Sequence, residues 1–169
     1  MPTFYGYQHE TPSIDEIAHN LSRLPRWCGS TIVPWTVLQH SLAAELLVRG
    51  PSRTHLLALL HDVEEAVVND TPQPYKTTAQ ADLGDEVRAA IFAELGIPGP
   101  SLFEDVNVGE VDAMLRVAEA AVLLHPRTRL QFPSPDERAI DVVWGLTVMP
   151  AFNAINEFLK RYETLRSYA

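Results

Sequence analysis

The sequence contains only one cysteine, Cys28, among its 169 residues. A lone thiol cannot form an internal disulfide and lacks the second sulfur of a CxxC motif, which fits a reducing compartment. Long apolar runs are also missing, since the stretches at 56–60 and 118–124 are far shorter than the roughly 20 residues that cross a bilayer. Residues 1–10 show no basic region followed by an apolar core, so no signal peptide is predicted. We therefore expect a cytoplasmic protein without a membrane span.

Basic residues are few, because 13 Lys and Arg stand against 22 Asp and Glu and the net charge is -9. Binding to a nucleic-acid polymer depends on a clustered basic surface, so that class of partner is not expected. If the ligand carries phosphate, then metal ions and a few local Lys or Arg side chains must offset its charge.

Strand patterns are missing too, as are internal repeats and low-complexity linkers. Hydrophobic residues make up 46% of the chain and charged residues 21%, which is ordinary for a folded globular protein. The sequence therefore predicts an all-α fold, a compact bundle of about six to seven helices that forms one domain over residues 1–169.

Helical spacing and end signals place the individual helices. Ser13 and Glu16 form a capping-box pattern, and Pro150 is expected to kink or split the last helical segment. The residues 96–107 and 126–135 are expected to be loops. The predicted helical segments are 14–24, 36–49, 52–63, 85–95, 108–124 and a final segment from about 135 toward 168.

His40 and His61 each lie within an apolar helical run, where a buried imidazole is costly unless it bonds a partner or a metal. Asp62 follows His61 directly, and by itself this pair is most simply a structural hydrogen-bonded couple. Glu64 and Glu65 come within the next turn, with Glu65 expected on the same helix face as His61. Four ionisable groups in five residues of an apolar helix require a compensating cation.

Imidazole and carboxylate ligands without thiolates suit a divalent transition metal in a catalytic site rather than a structural zinc site. A further ligand should come from another helix, and Asp112 is the best candidate because it lies at the edge of an apolar stripe. Asp105 and Glu110 are the alternatives, although acidic residues at the solvated N-terminal part of a helix are common.

His40, the pair His61 and Asp62, and the later Asp112 match the H...HD...D signature of HD-domain metal-dependent phosphohydrolases. The chain resembles, more narrowly, the bacterial 5'-deoxynucleotidases and the small phage dATP triphosphohydrolases. The resemblance covers roughly residues 14–120, and Gln39 departs from it because relatives often carry Glu there. The matching segments are Arg26-Trp27, Gln39-His40-Ser41, His61-Asp62-Val63-Glu64-Glu65 and Asn69-Asp70-Thr71-Pro72-Gln73-Pro74-Tyr75-Lys76.

This resemblance implies a role for each matching residue. Glu65 would be the catalytic acid or base near the attacking water, although it could instead only pair with a cation and leave the role to Glu64. Asp70 would act on the sugar and help to exclude ribose, although Asp is also a common turn residue. The remaining residues would bind substrate, and these are Arg26, Trp27, Ile32, Pro74 and Lys76. Lys76 is equally well explained as an exposed surface lysine.

The resemblance implies hydrolysis of 2'-deoxynucleotides with a divalent transition metal (Zn, Mn or Co), either alone or with additional Mg. The leading hypothesis is a dNTP triphosphohydrolase that prefers dATP, and the alternative is a 5'-deoxynucleotidase acting on dNMPs. A phosphodiesterase or alarmone hydrolase, and a metal-binding module without turnover, are weaker alternatives. If the protein is encoded by a phage, it would act in the cytoplasm of the bacterial host.

The C-terminal segment is unusually apolar along one side. This face predicts a homo-oligomer, a dimer or a hexamer built from dimers, unless it closes the core of the monomer. Its apolar residues are Trp144, Met149, Phe152, Ile155, Phe158 and Leu159.

Overall fold

The structure is a computed structural model that describes residues 11–72, 75–129 and 131–168. These ranges hold nine α-helices and no β-strand, so the predicted all-α fold is confirmed. Two of the nine are single turns of four residues, which leaves seven helices of eight residues or more. The helices are α1 (Ile14–Leu21), α2 (Val37–Leu47), α3 (Ser52–Leu59), α4 (Glu65–Val68), α5 (Thr78–Glu94), α6 (Leu102–Leu123), α7 (Pro126–Arg129), α8 (Glu137–Thr147) and α9 (Ala151–Arg166).

Side-chain caps set where several helices begin. The predicted capping box at Ser13 and Glu16 is present at the start of α1. Two further boxes start α5 and α6 earlier than predicted, at Thr77 with Gln80 and at Ser101 with Glu104. The expected loop over 96–107 is therefore wrong for residues 102–107, because the cap side chains bond the free N–H groups of the first turn. The predicted break at Pro150 is confirmed, since this residue is the N-cap of α9.

The predicted third helix is shorter than expected, because α3 ends at Leu59 and the His61-Asp62 motif lies in the turn that follows. The ring Nδ1 of His61 donates a 2.8 Å hydrogen bond to the carbonyl of Ala58. In a continuing α-helix that carbonyl would accept from the N–H of Asp62. The chain instead makes tighter bonds three residues apart, such as Glu65 N–H to Asp62 carbonyl. The expectation that Glu65 shares a helix face with His61 is therefore wrong.

Helix α2 lies at the centre of the bundle, where it packs against α3, α6, α8 and α9. Ten of its eleven residues are buried, including His40 and Ser41, which are inaccessible to solvent. A helix enclosed on all sides presents a fixed scaffold, so a side chain on α2 is held in one position by its neighbours. His40 is such a side chain.

The apolar side of the C-terminal segment is partly buried in the core and partly exposed. Phe158 is fully buried and closes the monomer core, with Met149, Ile155 and Leu159 packed partly against it. Trp144 and Phe152 remain on the surface together with Val148, at 52%, 71% and 81% exposure. Among the described residues, no helix is both long and apolar enough to cross a membrane.

Candidate metal centre

The fold brings together four side chains that the sequence predicts as metal ligands. His40 comes from α2, His61 and Asp62 from the turn after α3, and Asp112 from α6. The Nε2 atom of His40 lies 3.1 Å from Nε2 of His61, 3.3 Å from Oδ1 of Asp112 and 3.5 Å from Oδ2 of Asp62. Nε2 of His61 lies 3.2 Å from the same Asp62 oxygen. The other three groups thus cluster around Nε2 of His40.

The two imidazole rings are oriented by hydrogen bonds on their far sides. Nδ1 of His40 bonds Oε1 of Glu119 at 2.6 Å, and Nδ1 of His61 bonds the Ala58 carbonyl at 2.8 Å. Both of these partners accept hydrogen bonds, so both Nδ1 atoms carry the proton. The two Nε2 lone pairs then point at each other, which is unfavourable unless a proton or a cation lies between them. A metal-ligating histidine typically has this arrangement.

The distances fit a small divalent cation. With bonds of about 2.0 to 2.2 Å, tetrahedral ligands lie roughly 3.3 to 3.6 Å apart, and cis ligands of an octahedron lie somewhat closer. The four separations given above between imidazole nitrogens and their neighbouring nitrogen or oxygen atoms span 3.1 to 3.5 Å. Nitrogen and carboxylate donors suit Zn, Mn, Co and related ions. The ligand atoms of His40, His61 and Asp112 all lie within 4.8 Å of one another, and this group does not include Asp62.

The electrostatics of the four groups are strongly coupled. Burial opposes the charged form of His61, but the charge and hydrogen bond of Asp62 raise the pKa of His61 to about 9. Burial likewise opposes ionisation of Asp62, yet the charge of His61 holds the pKa of this carboxyl far below its usual range. The hydrogen bond and charge of His40 lower the pKa of Asp112 in the same way, against its burial. Two carboxylates therefore stay ionised beside the imidazoles.

Glu119 on α6 completes the centre, although no motif in the sequence singles it out. Its carboxylate is inaccessible to solvent and accepts four hydrogen bonds. Burial raises its pKa, but the charges of Arg26 and His40 outweigh this and lower the pKa to about 2. One signal was available, because Glu119 lies seven residues after Asp112, two turns along the same helix face, within an apolar run.

Arg26 and Trp27, which the sequence predicts as substrate-binding residues, line the centre. Arg26 donates to Oδ2 of Asp62 at 3.4 Å and to Oε2 of Glu119 at 3.3 Å. The indole of Trp27 donates to Glu119 at 2.9 Å and meets the ring of Phe132 edge-on. Trp27 has a left-handed backbone with φ 57°, and Cys28 follows with φ 51°. Such conformations are strained for residues other than glycine, and here they hold Trp27 beside Arg26.

The two predicted acid-base candidates differ in their partners. Glu64 accepts a hydrogen bond from Arg88 at 3.4 Å, so it is the member of the pair that binds a cation. Oε2 is buried without a hydrogen-bond partner among the described residues in both glutamates, but only Glu64 has its other oxygen bonded to a cation. Burial and the charge of Asp62 raise the pKa of Glu65 to about 9. Asp70 is half-buried, and burial raises the pKa of its carboxyl against the opposing charge of nearby Arg26.

The remaining predicted residues lie farther out. Ile32 is 56% exposed, and its N–H donates to the carbonyl of Leu123 at the end of α6. Lys76 is half-buried before the cap of α5, and no hydrogen bond joins it to the centre within the described ranges. Pro74 lies outside the described residues. Asp105 and Glu110, the alternative ligands, are both exposed on α6.

No family model matches the chain. An uncharacterized protein of Rhodobacter capsulatus is 35% identical over 95 residues, which are 50% of this chain and 48% of that protein. The chain therefore spans about half the length of the curated relative it matches. Because the description of that relative names no activity, any assignment of function depends on the geometry of the centre.

Proposed function

We propose that this protein is a metal-dependent phosphohydrolase of the HD type that acts on 2'-deoxynucleotides. The observation that carries the proposal is the pair of Nε2 atoms of His40 and His61, 3.1 Å apart with both Nδ1 atoms already bonded elsewhere. Carboxylate oxygens of Asp62 and Asp112 lie 3.5 and 3.3 Å from Nε2 of His40. These four residues would hold Zn, Mn or Co, with Mg as a possible second ion. A divalent cation there supplies Lewis acidity to a phosphate oxygen and lowers the pKa of water.

Arg26 is the group that would bind the phosphate. Its Nε and Nη1 atoms bond Glu119 and Asp62, whereas its Nη2 makes no hydrogen bond to any described residue. A guanidinium fixed on two sides keeps its remaining donors pointed in one direction, which favours a phosphate oxygen placed next to Asp62. Because the side chain is only 11% exposed, its charge acts through little solvent.

Glu65 and Asp70 would act on the proton and the sugar. A buried carboxyl without a hydrogen-bond partner and with a raised pKa is suited to hold a proton and pass it between water and the leaving oxygen. Asp70 can accept a hydrogen bond from the sugar 3'-OH, and a crowded C2' position then disfavours ribose. This assignment of Asp70 follows the resemblance to the deoxynucleotidases, and its proximity to Arg26 supports it.

The substrate we favour is a dNTP, with dATP preferred, cleaved at the α-phosphorus into deoxynucleoside and triphosphate. A dNMP cleaved into deoxynucleoside and phosphate is the second candidate, and the charge of the centre favours it. Six carboxyl groups face three guanidinium groups, and the carboxyl groups still outnumber them when Glu65 is protonated, so that every added phosphate increases repulsion unless cations accompany it. The groups counted are Asp62, Glu64, Glu65, Asp70, Asp112 and Glu119 against Arg26, Arg88 and Arg116.

Product analysis tests this proposal. Chelator-treated protein receives Mn, Co, Zn or Mg together with dATP, dGTP, dCTP, dTTP, ATP or dAMP in turn. We expect triphosphate from dATP with wild type and with the control His19→Ala, whose side chain is exposed on α1. His61→Ala should release none. Phosphate from dAMP alone would establish the second candidate, and the absence of turnover with every pair would refute both and leave a metal-binding module.

The same proposal includes the setting of the enzyme. We propose that it works in the cytoplasm, that of a bacterial host if a phage encodes it, as a homo-oligomer. Its partner would be the deoxynucleotide rather than a nucleic-acid polymer or a membrane, in keeping with the net charge of -9.

A further inference from the structure

We propose that Glu119 is a positioning residue that organises both halves of this site, with one carboxylate oxygen assigned to each half. The inference rests on the proposed metal site, but its test does not depend on hydrolysis. Glu119 is fully buried, and each of its four partners is an N–H donor from the segment between Arg26 and His40.

The first oxygen serves the metal half. Oε1 accepts from Nδ1 of His40 at 2.6 Å and from Nε1 of Trp35 at 2.8 Å. Both donors are buried, with Trp35 at 1% exposure, so neither can turn to water. Because the carboxylate can only accept here, the proton of the imidazole is held at Nδ1 and the Nε2 lone pair is left for a metal ion.

The second oxygen serves the substrate half. Oε2 accepts from Nε1 of Trp27 at 2.9 Å and from Nε of Arg26 at 3.3 Å. Both donors lie closer to the surface than His40 and Trp35. The left-handed backbone at Trp27 turns its indole back toward α6, and the hydrogen bond to Glu119 offsets part of that strain.

Substitution of Glu119 by Gln separates the two halves. Glutamine has one acceptor oxygen and one NH2 group. Whichever half the NH2 group faces, it meets two N–H donors and can accept a hydrogen bond from neither. Trp27 and Arg26 can move toward solvent, whereas Trp35 and His40 cannot, so we expect the NH2 to face the substrate half. Nucleotide binding should weaken, while metal binding is largely retained through a weaker hydrogen bond from His40 to a neutral oxygen.

The experiment compares Glu119→Gln with Trp27→Phe, which removes the indole N–H from the substrate half while it keeps a smaller aromatic ring. Glu45→Gln is the matched control, because Glu45 is a second buried glutamate, bonded to Arg161 and His55 outside the centre. Each protein is titrated with zinc against a chelator and then, with zinc bound, with dATP by calorimetry. The Nδ1–H proton of His40 is followed by NMR in the zinc-loaded protein, where its short bond to a carboxylate shifts it downfield.

We expect wild type, Glu45→Gln and Trp27→Phe to share the same downfield resonance and zinc affinity, with dATP binding weaker in Trp27→Phe alone. Glu119→Gln should move the resonance upfield, weaken dATP binding and change zinc affinity less than the roughly 10- to 100-fold loss typical when the partner of a ligating histidine is removed. An unmoved resonance, or dATP binding equal to that of Glu45→Gln, would overturn the proposal.

Two further outcomes keep the test decisive. If Glu119→Gln does not fold, then Trp27→Phe decides, because a loss of zinc affinity in this variant would show that the halves are not separate. If wild type binds no nucleotide, the proposed function fails. The NMR resonance and the zinc titration would still test whether Glu119 positions the imidazole of His40. A wild-type resonance that is not shifted downfield would also overturn the proposal.

Discussion

Arg116 donates a 2.8 Å hydrogen bond to Oδ2 of Asp112, one helical turn earlier, and leaves only Oδ1 facing His40. Asp112, a proposed ligand, thus offers a single oxygen to the centre. Asp112→Ala should abolish most of the thermal stabilisation that Zn or Mn gives the wild type, which is about 2.7 kcal/mol at a metal concentration 100 times the dissociation constant. Glu110→Ala, on the exposed face of the same helix, should keep it. Equal metal-dependent melting shifts in the two variants would rule Asp112 out as a ligand.

Substitutions of Glu65 and of Glu64 should affect different properties, hydrolysis for the first and stability for the second. Glu65→Gln keeps the shape of the side chain but cannot exchange the proton, so hydrolysis should fall by about 10²- to 10⁴-fold. Metal affinity should change little. Glu64→Gln should instead mainly lower the free energy of unfolding, because it weakens the bond from Arg88. Turnover rates and chemical denaturation measure the two effects, and the reverse pattern would assign the proton transfer to Glu64.

Replacement of glycine by alanine should change the free energy of unfolding in opposite directions at two positions, one within a helix and one after a helix. Gly109 lies within α6, and a Cβ built there meets no atom within 4 Å. Gly109→Ala should raise the free energy of unfolding by about 0.5 to 1 kcal/mol. Gly96, after α5, has φ +68°, so Gly96→Ala should lower it by roughly 1 to 2 kcal/mol. Urea denaturation of both variants checks the predicted signs.

The left-handed turn at Trp27 and Cys28 should become more stable when its exposed residue, Cys28, is replaced by glycine. Cys28 has φ 51°, which costs a residue with a side chain roughly 1 to 2 kcal/mol. Cys28→Gly should therefore stabilise the protein by up to about 1 kcal/mol after the entropy that glycine loses on folding. Cys28→Val should destabilise it, because a β-branched side chain tolerates this conformation least. A gain in stability with valine would contradict the assigned backbone.

The exposed face formed by Trp144, Val148 and Phe152 should mediate the proposed self-association. Phe152 is 71% exposed, so Phe152→Ser should leave the fold intact and reduce the mass measured by sedimentation. Leu102→Ser is the matched control, because Leu102 is 82% exposed at the start of α6. Sedimentation of wild type as a monomer, or the same mass for the two variants, would refute this interface.

The sequence was most informative where the signal is local. The helix cap at Ser13 and the break at Pro150 could be predicted because each acts within one helical turn. The turn at His61 could not, because it depends on a ring nitrogen competing for the carbonyl of Ala58. Periodicity alone favoured a continuing helix there.

The candidate site divides in the same way. Residue types and spacing identified His40, His61, Asp62 and Asp112 as candidates, and the fold brings them together. Glu119 was missed because its partners lie 79 to 93 residues earlier in the chain, a separation that no local pattern reports. The starts of α5 and α6 were missed although each has a local mark, the capping boxes of Thr77 with Gln80 and of Ser101 with Glu104.

The long separation between Glu119 and its donors also determines when the site can appear during folding. Three of the four proposed ligands and all four donors to Glu119 precede α6, whereas Asp112 and Glu119 both lie on it. A nascent chain that has not yet produced α6 can therefore form helices α1 to α5 without any competent site. Contacts of such high sequence separation form slowly, because a long loop must close before they are gained. Metal capture would thus report on the docking of α6, and zinc-dependent protection of this helix against hydrogen exchange would mark the completion of the fold.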